Sequence, residues 1–195
     1  KEAQSRAGRV GMPNSSIASS TTEFGQLTGL PHLTRDSNRV LGPILHPAEI
    51  KVHFASFHKA IAAIASNAYL NCGSYGMIGG YSGPVEGAVL TNIATDLLQF
   101  PVLQAHTSAT SIYDVRFDTT CNRHGLWALS VACQATSRNT HLLLQKIINQ
   151  SAGPCTKENL YTSAAGLIAA SDSGMAYTIG PRSAGGRFKN YLTPL

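Results

Sequence analysis

The sequence predicts an α/β fold with parallel strands, a TIM-type (β/α)8 barrel of which the chain supplies a part. Three observations carry that expectation. Strand-like and helix-like segments alternate from residue 49 to residue 180. Charged residues make up only 13% of the 195, about half the usual share, so further chain or another subunit is expected to cover much of the surface. The chain opens on polar, helix-like residues and stops abruptly at Thr193-Pro194-Leu195. Residues 1–195 are therefore expected to form one barrel domain, truncated at both ends.

Each element has its own signal. Residues 8–47 are rich in Ser, Thr, Gly, Pro and Asn and read as long loops with short apolar pieces such as Val40-Leu41. Ile50, Val52 and Phe54 alternate with Lys51 and His53, as in a short strand. The alanine-rich run over 57–69 carries Ile61 and Ile64 at helical spacing. A glycine-heavy loop is expected over 72–83. Pro84 then opens a helix over 84–98, with Val85, Val89, Ile93 and Leu97 at four-residue steps. Residues 111–117 read as a strand, and 123–150 as one long helical region bent near Arg138. A tight loop over 151–155 leads to a helix over 157–171, with Leu160, Ala164 and Leu167 aligned, and to a last strand over 175–180.

Composition excludes several function classes. The formal charge of +5 is scattered, with no basic run and no interleaving of aromatic and basic residues, so no nucleic-acid partner is expected. No apolar stretch is long enough to span a bilayer, so no membrane association is expected. Cys72, Cys121, Cys133 and Cys155 lack CxxC spacing and read as free thiols of a cytoplasmic protein. The seven histidines form no HExxH, and His53 and His58 straddle an expected strand–helix junction, so no metal site is expected. GMIGGYSG lacks both the GxGxxG and the P-loop spacing, and Ser15 has no GxSxG elbow.

Four candidates remain with two readings each. Glu86, in the first turn of the 84–98 helix, is either helix-end electrostatics or a ligand-facing carboxylate at the barrel mouth. Arg116 and Arg123 flank the loop after a strand. They either grip a carboxylate or phosphate or pair with Asp114 and Asp118. Cys155, after Gly153-Pro154 at a helix start, is either an activated thiol or an inert one.

Two segments, GGYSGPVEGAVLTNIATDL (79–97) and SAGPCTKENLYTSAAG (151–166), resemble the monomethylamine:corrinoid methyltransferases of methanogenic archaea. RAGRVGMP (6–13) is similar to the family's AGRPGMG-type segment, and Arg116 and Arg123 fall where the family has arginines. The resemblance implies a (β/α)8 barrel more than twice this length, assembled as a homo-oligomer. The open end of that barrel would receive a small methylated amine and dock a corrinoid protein. No cofactor would be bound directly, since the corrinoid arrives on its own protein.

The same resemblance places the family's pyrrolysine, an electrophilic imine that captures the amine, on Ser15. It places the catalytic glutamate on Gly73, the glutamine on Ile147 and the tyrosine on Asn149. All four are substituted, while Tyr81, Glu86, Arg116, Arg123 and Cys155 remain as substrate-binding candidates. The implied protein is a pyrrolysine-free relative that moves a methyl group to Co(I) from an amine needing no imine capture. A quaternary amine fits, with Glu86, Tyr81 and Tyr75 as the groups available to a cation. The alternatives are a catalytically inactive barrel with a corrinoid-protein-binding or structural role, and a hydrolase or lyase using Cys155 or Ser15.

Overall fold

Strands and helices alternate along the chain, and every pairing between named strands is parallel. The computed structural model describes residue 6 and residues 15–17, 39–41, 54–65 and 69–182. The elements are β1 (Ser15–Ile17), β2 (Arg39–Leu41), α1 (Phe54–Ala65), β3 (Tyr69–Cys72), β4 (Tyr75–Ile78), α2 (Val85–Leu103), β5 (Thr107–Asp114), α3 (Arg123–Asn139), β6 (Leu144–Asn149), α4 (Lys157–Asp172) and β7 (Tyr177–Arg182). The sheet runs β1-β2-β3-β5-β6-β7, with β4 also beside β5. Parallel neighbours cannot be joined by a tight turn, and the helices supply the crossovers.

The expected glycine loop over 72–83 is in large part strand. Asn71 pairs with Thr107 and Tyr75 with Ser111 in one unbroken register, so β3 and β4 are two halves of a single strand interrupted at Gly73-Ser74. The glycines here serve close packing rather than turning. A Cβ on Gly76 would lie 2.3 Å from the Ala88 carbonyl oxygen, so glycine lets α2 settle directly on β4. The true turn is Gly79–Gly83, where both glycines take positive φ and the Gly79 N–H donates to the Gly83 carbonyl at 2.8 Å.

The long helix expected over 123–150 ends at Asn139, and LQKIIN forms β6, buried at all six positions. A strand covered on both faces shows no alternation, so its short apolar run is indistinguishable from helix by periodicity. Phe54, expected in a strand, opens α1; the rest of that expected strand, 50–53, lies outside the described residues. Of the expected loops over 8–47, Ser15 and Val40-Leu41 belong to β1 and β2, and the remainder is outside the described residues apart from Ser16, Ile17 and Arg39 in those same strands.

Helix faces were chosen by small residues more than by large apolar ones. Ala60 and Ala63 of α1 pack on Leu70, Cys72, Leu103 and Ala105, while Ile61 and Ile64 point to solvent. In α4 the buried residues are Gly166 and Ala170, and Leu160 is 71% exposed. A Cβ on Gly166 would meet Ile148 Cγ2 at 2.5 Å, so the helix can approach β6 this closely only without one. No helix among the described residues is long and apolar enough to cross a membrane.

A buried ionic network joins α2 to the sheet. Lys146 of β6 and Asp96 of α2 have fully buried side chains, with Nζ 2.8 Å from Asp96 Oδ2. The ammonium also donates to Asn92 Oδ1 at 2.9 Å and to the Thr110 hydroxyl. The other oxygen of Asp96 accepts from Ser108 Oγ at 2.5 Å and Thr110 Oγ1 at 2.7 Å. Asn92 Nδ2 donates to the Ser111 carbonyl at 2.9 Å. All three donors of the ammonium and both carboxylate oxygens are thus engaged, which offsets the desolvation of two charges.

Lys146→Met should destabilise the fold by about 3–5 kcal/mol, because it strands a buried carboxylate. Asp96→Asn combined with Lys146→Met should recover most of that loss, since the amide oxygen still accepts from Ser108 and Thr110. Urea unfolding of the single and double variants measures both; equal destabilisation of the two would show that the charge balance is immaterial.

Candidate functional site

Along β5, Ser108, Thr110 and Ile112 face the helices: the first two bond Asp96 and the third packs with Ala88 and Ala128. Strand alternation therefore turns Thr107, Ala109, Ser111 and Tyr113 to the opposite face. The register carries that face across the sheet. Ala109 pairs with Gln145 and Ser111 with Tyr75, so the same face holds Asn71 and Tyr75 on one side and Gln145, Ile147 and Asn149 on the other. The strands are parallel, so all their C-terminal ends open at one rim.

Toward the N-terminal ends, this face is closed by polar side chains. Thr107 Oγ1 donates to Asn71 Oδ1 at 3.1 Å, and Asn71 Nδ2 donates to Gln145 Oε1. Midway, the Ser111 hydroxyl donates to the Ile147 carbonyl. Near the rim the rings of Tyr75 and Tyr113 meet edge to face, with centroids 6.0 Å apart and planes at 74°. The Tyr113 hydroxyl donates to Asp118 Oδ1, and the Tyr81 hydroxyl donates to the Tyr75 carbonyl at 2.8 Å.

Three sequence-predicted positions converge here. Gly73 sits at the break between β3 and β4, and Ile147 and Asn149 lie on β6, with β5 between them. Ile147 is 7% exposed and Asn149 2%. The Asn149 carbonyl accepts from the Thr120 N–H at 2.8 Å and from Thr119 Oγ1 at 2.9 Å, which ties β6 to the loop before α3. A Cβ on Gly73 would stand 2.2 Å from the Ala109 carbonyl oxygen, so this backbone admits no side chain there. Ser15 pairs with Arg39 on β1, in the same sheet and two strands from β3.

The rim residues separate. Arg116 spends its fork on Asp114, with Nε to Oδ1 at 2.9 Å and Nη2 to Oδ2 at 2.8 Å, so the pairing reading holds for it and its guanidinium is not held out for a ligand. Asp118, the other carboxylate expected to pair with an arginine, instead receives Tyr113. Arg123 is exposed in the first turn of α3, and Glu86 is exposed in the first turn of α2. Cys155 is exposed with φ of 60° and precedes the α4 cap, Thr156, whose hydroxyl accepts from the Asn159 N–H at 3.2 Å. It therefore lies outside the helix's first turn, where the dipole acts most strongly. Burial pushes the Cys121 thiol up to about 11. Among the described residues, no three His, Cys, Asp or Glu side chains converge as metal ligands would.

Asp114, which motif reasoning treated only as an arginine partner, organises this rim. Its carboxyl is held at about 2 by the Arg116 side-chain hydrogen bond, against the upward push of burial and with help from Asn122 Nδ2 at 2.8 Å and the Arg116 N–H. Tyr113 is not singled out by the sequence, and Asp118 is read only as an arginine partner; the alternation of SIYDVRF, which sets Tyr113 opposite in face to Asp114, is the available signal.

Comparison with known proteins bears on this architecture. A family model described as "Monomethylamine methyltransferase MtmB" matches residues 1–195. Monomethylamine methyltransferases of Methanosarcina barkeri strain Fusaro and of Methanosarcina mazei are each 30% identical over 110 residues, spanning 56% of this chain and 24% of the relative. The crystal structure of the M. barkeri enzyme superposes with a TM-score of 0.84 at 20% identity, over 98% of this chain and 42% of that one. This chain thus spans less than half the length of the solved relative. The carboxyl transferase domain of Rhizobium etli pyruvate carboxylase matches at a TM-score of 0.52 and 11% identity over 83% of this chain, a likeness of fold alone.

Because the Asp114 carboxyl is lowered from 3.8 to about 2, its stabilisation is fully present above about pH 4 and is lost as pH falls toward 2. Asp114→Asn should flatten the acid limb of the stability profile in that window. At neutral pH it should also cost about 1.5–3 kcal/mol, the worth of a charged hydrogen bond. Denaturant unfolding at a series of pH values checks both; an unchanged slope would remove Asp114 from this role.

Proposed function

The chain belongs to the monomethylamine methyltransferase family, and from that premise we propose that it moves a methyl group from a methylated amine to the Co(I) of a corrinoid protein. The observation that carries the reading is the whole-chain family match, joined to a sheet face on which Gly73, Ile147 and Asn149 come together below an aromatic rim. The corrinoid supplies a strong nucleophile for the methyl carbon. What the chain's own residues do is hold the amine, exclude water and present the carbon–nitrogen bond end-on to the rim. As that bond breaks, its electron pair returns to nitrogen, so the amine must enter with nitrogen positively charged.

Exposed Tyr81, Val115 and Phe117, on the adjoining loops after β4 and β5, form an apolar lip at the rim, with Phe117 59% exposed and the Arg116 guanidinium 5.5 Å from its ring centroid. A lip of this kind fits the broad face of a corrinoid carried in by a partner. The substituted positions argue about substrate. A serine at position 15 forms no imine adduct, and the backbone at Gly73 leaves no room for a carboxylate side chain. The amine is therefore held without covalent capture.

The same two observations favour a second reading, a barrel that binds the corrinoid protein without turnover. One assay separates them. The full-length protein is mixed with Co(I) corrinoid protein and mono-, di-, tri- or tetramethylated ammonium, and the visible spectrum of the corrinoid is followed. Methylation by at least one amine is expected. No spectral change with any member, together with retained binding of the corrinoid protein, would establish the second reading.

A further inference from the structure

The geometry points to a binding site for a peralkylated ammonium group in the corner between Tyr75 and Tyr113, with Asp118 acting through the Tyr113 phenol. The biological identity of that cation rests on the methylated-amine reading above, but the site itself does not. Four features converge on it.

First, the rings meet edge to face, with planes at 74° and centroids 6.0 Å apart, so the edge of one ring meets the face of the other and the remaining faces flank the corner. Ring faces carry negative charge density, and two or more such walls around one point are how proteins recognise quaternary ammonium. Second, both rings are only partly buried, while their neighbours Ser111 and Asn149 are buried. The pair is therefore not sealed into the core. Third, the Tyr113 hydroxyl donates to the Asp118 carboxylate. A phenol that donates to an anion pushes electron density into its ring, which strengthens the attraction of the face for a cation. Asp118 keeps this position with φ of 55°, in the left-handed region. Fourth, Met77 pairs with Tyr113 in the register, which sets this soft, adaptable residue on the same sheet face as both rings, on the β4 side.

The surrounding charges leave a net attraction for a cation. Arg116 is the positive group closest in sequence, and its fork is neutralised by Asp114. Asp118 accepts from the uncharged Tyr113 phenol. The corner also selects by ligand class. Aromatic faces and a thioether contact methyl groups well but do not satisfy four N–H donors, so tetramethylammonium should bind and ammonium should not. Tyr113 and Asp118 are accordingly specificity-determining and positioning residues, respectively, in a site that motif reasoning approached only through Tyr75 and Tyr81.

Calorimetric titration of the full-length protein with tetramethylammonium chloride, without corrinoid and at constant ionic strength, tests the assignment. Saturable binding is expected, with ammonium failing to compete and the neutral near-isostere tert-butanol binding at least about tenfold more weakly. Tyr113→Leu should weaken tetramethylammonium by about tenfold, and Tyr113→Phe, which keeps the ring but loses the Asp118 bond, by about two- to threefold. Asp118→Asn should match the Phe variant. Circular dichroism identifies any variant that fails to fold, and the Phe variant keeps the packing if the Leu variant does not. Absence of saturable binding, equal binding of the neutral isostere, or unchanged affinity in folded Tyr113 variants would each overturn the site. Binding as expected without corrinoid methylation would support the site and reject only the methyl-transfer reading.

Discussion

The ammonium of Lys146 and the carboxylate of Asp96, sealed between α2 and the sheet, decide which way every side chain on β5 and β6 points. Strand side chains alternate, so a slip of one residue would exchange the two faces. Lys146 cannot be moved to the other face without stranding Asp96, and Ser108 and Thr110 on β5 are held to the same carboxylate. With 108, 110 and 146 committed to the helix side, 109, 111, 113, 145, 147 and 149 must face away from it. The candidate site is therefore specified from behind, by a network that meets it only at the Ser111 backbone carbonyl.

The elements legible in the sequence are those with a marked start. A proline opens α2 and a tight Gly-Pro loop precedes α4, so both starts are read closely although their outer faces carry exposed apolar residues. β6 was absorbed into a helix because it is covered on both sides, and half of the β3–β4 strand was hidden under glycines that look like a turn. In both cases tertiary packing chose the conformation. A buried lysine, a close backbone approach at Gly76 and a helix laid against β6 at its own Gly166 leave no local trace.

The candidate site was legible in a different way. Gly73, Ile147 and Asn149 are reached by family resemblance, and the fold sets them on one sheet face with β5 between them. Rim residues fared less evenly, since Arg116 is consumed by Asp114 and Cys155 stands before its helix rather than in it. Tyr113 belongs to no motif, and Asp118 reads from the sequence only as a partner for an arginine. They matter only once the strand register and the loop after β5 have put a phenol beside a carboxylate. Low charge also has a visible counterpart: Leu90, Leu160, Tyr161 and Ile168 all stand exposed on the outer faces of α2 and α4.

The proposed activity turns on where a methylated cation sits. Its most direct test is nuclear Overhauser transfer between the methyl protons of tetramethylammonium and the full-length protein, perdeuterated except for its tyrosine rings. Cross-peaks to the rings of Tyr75 and Tyr113 at the C-terminal rim are the predicted result. Cross-peaks confined to a ring outside that rim, such as exposed Tyr161 on α4, would contradict it.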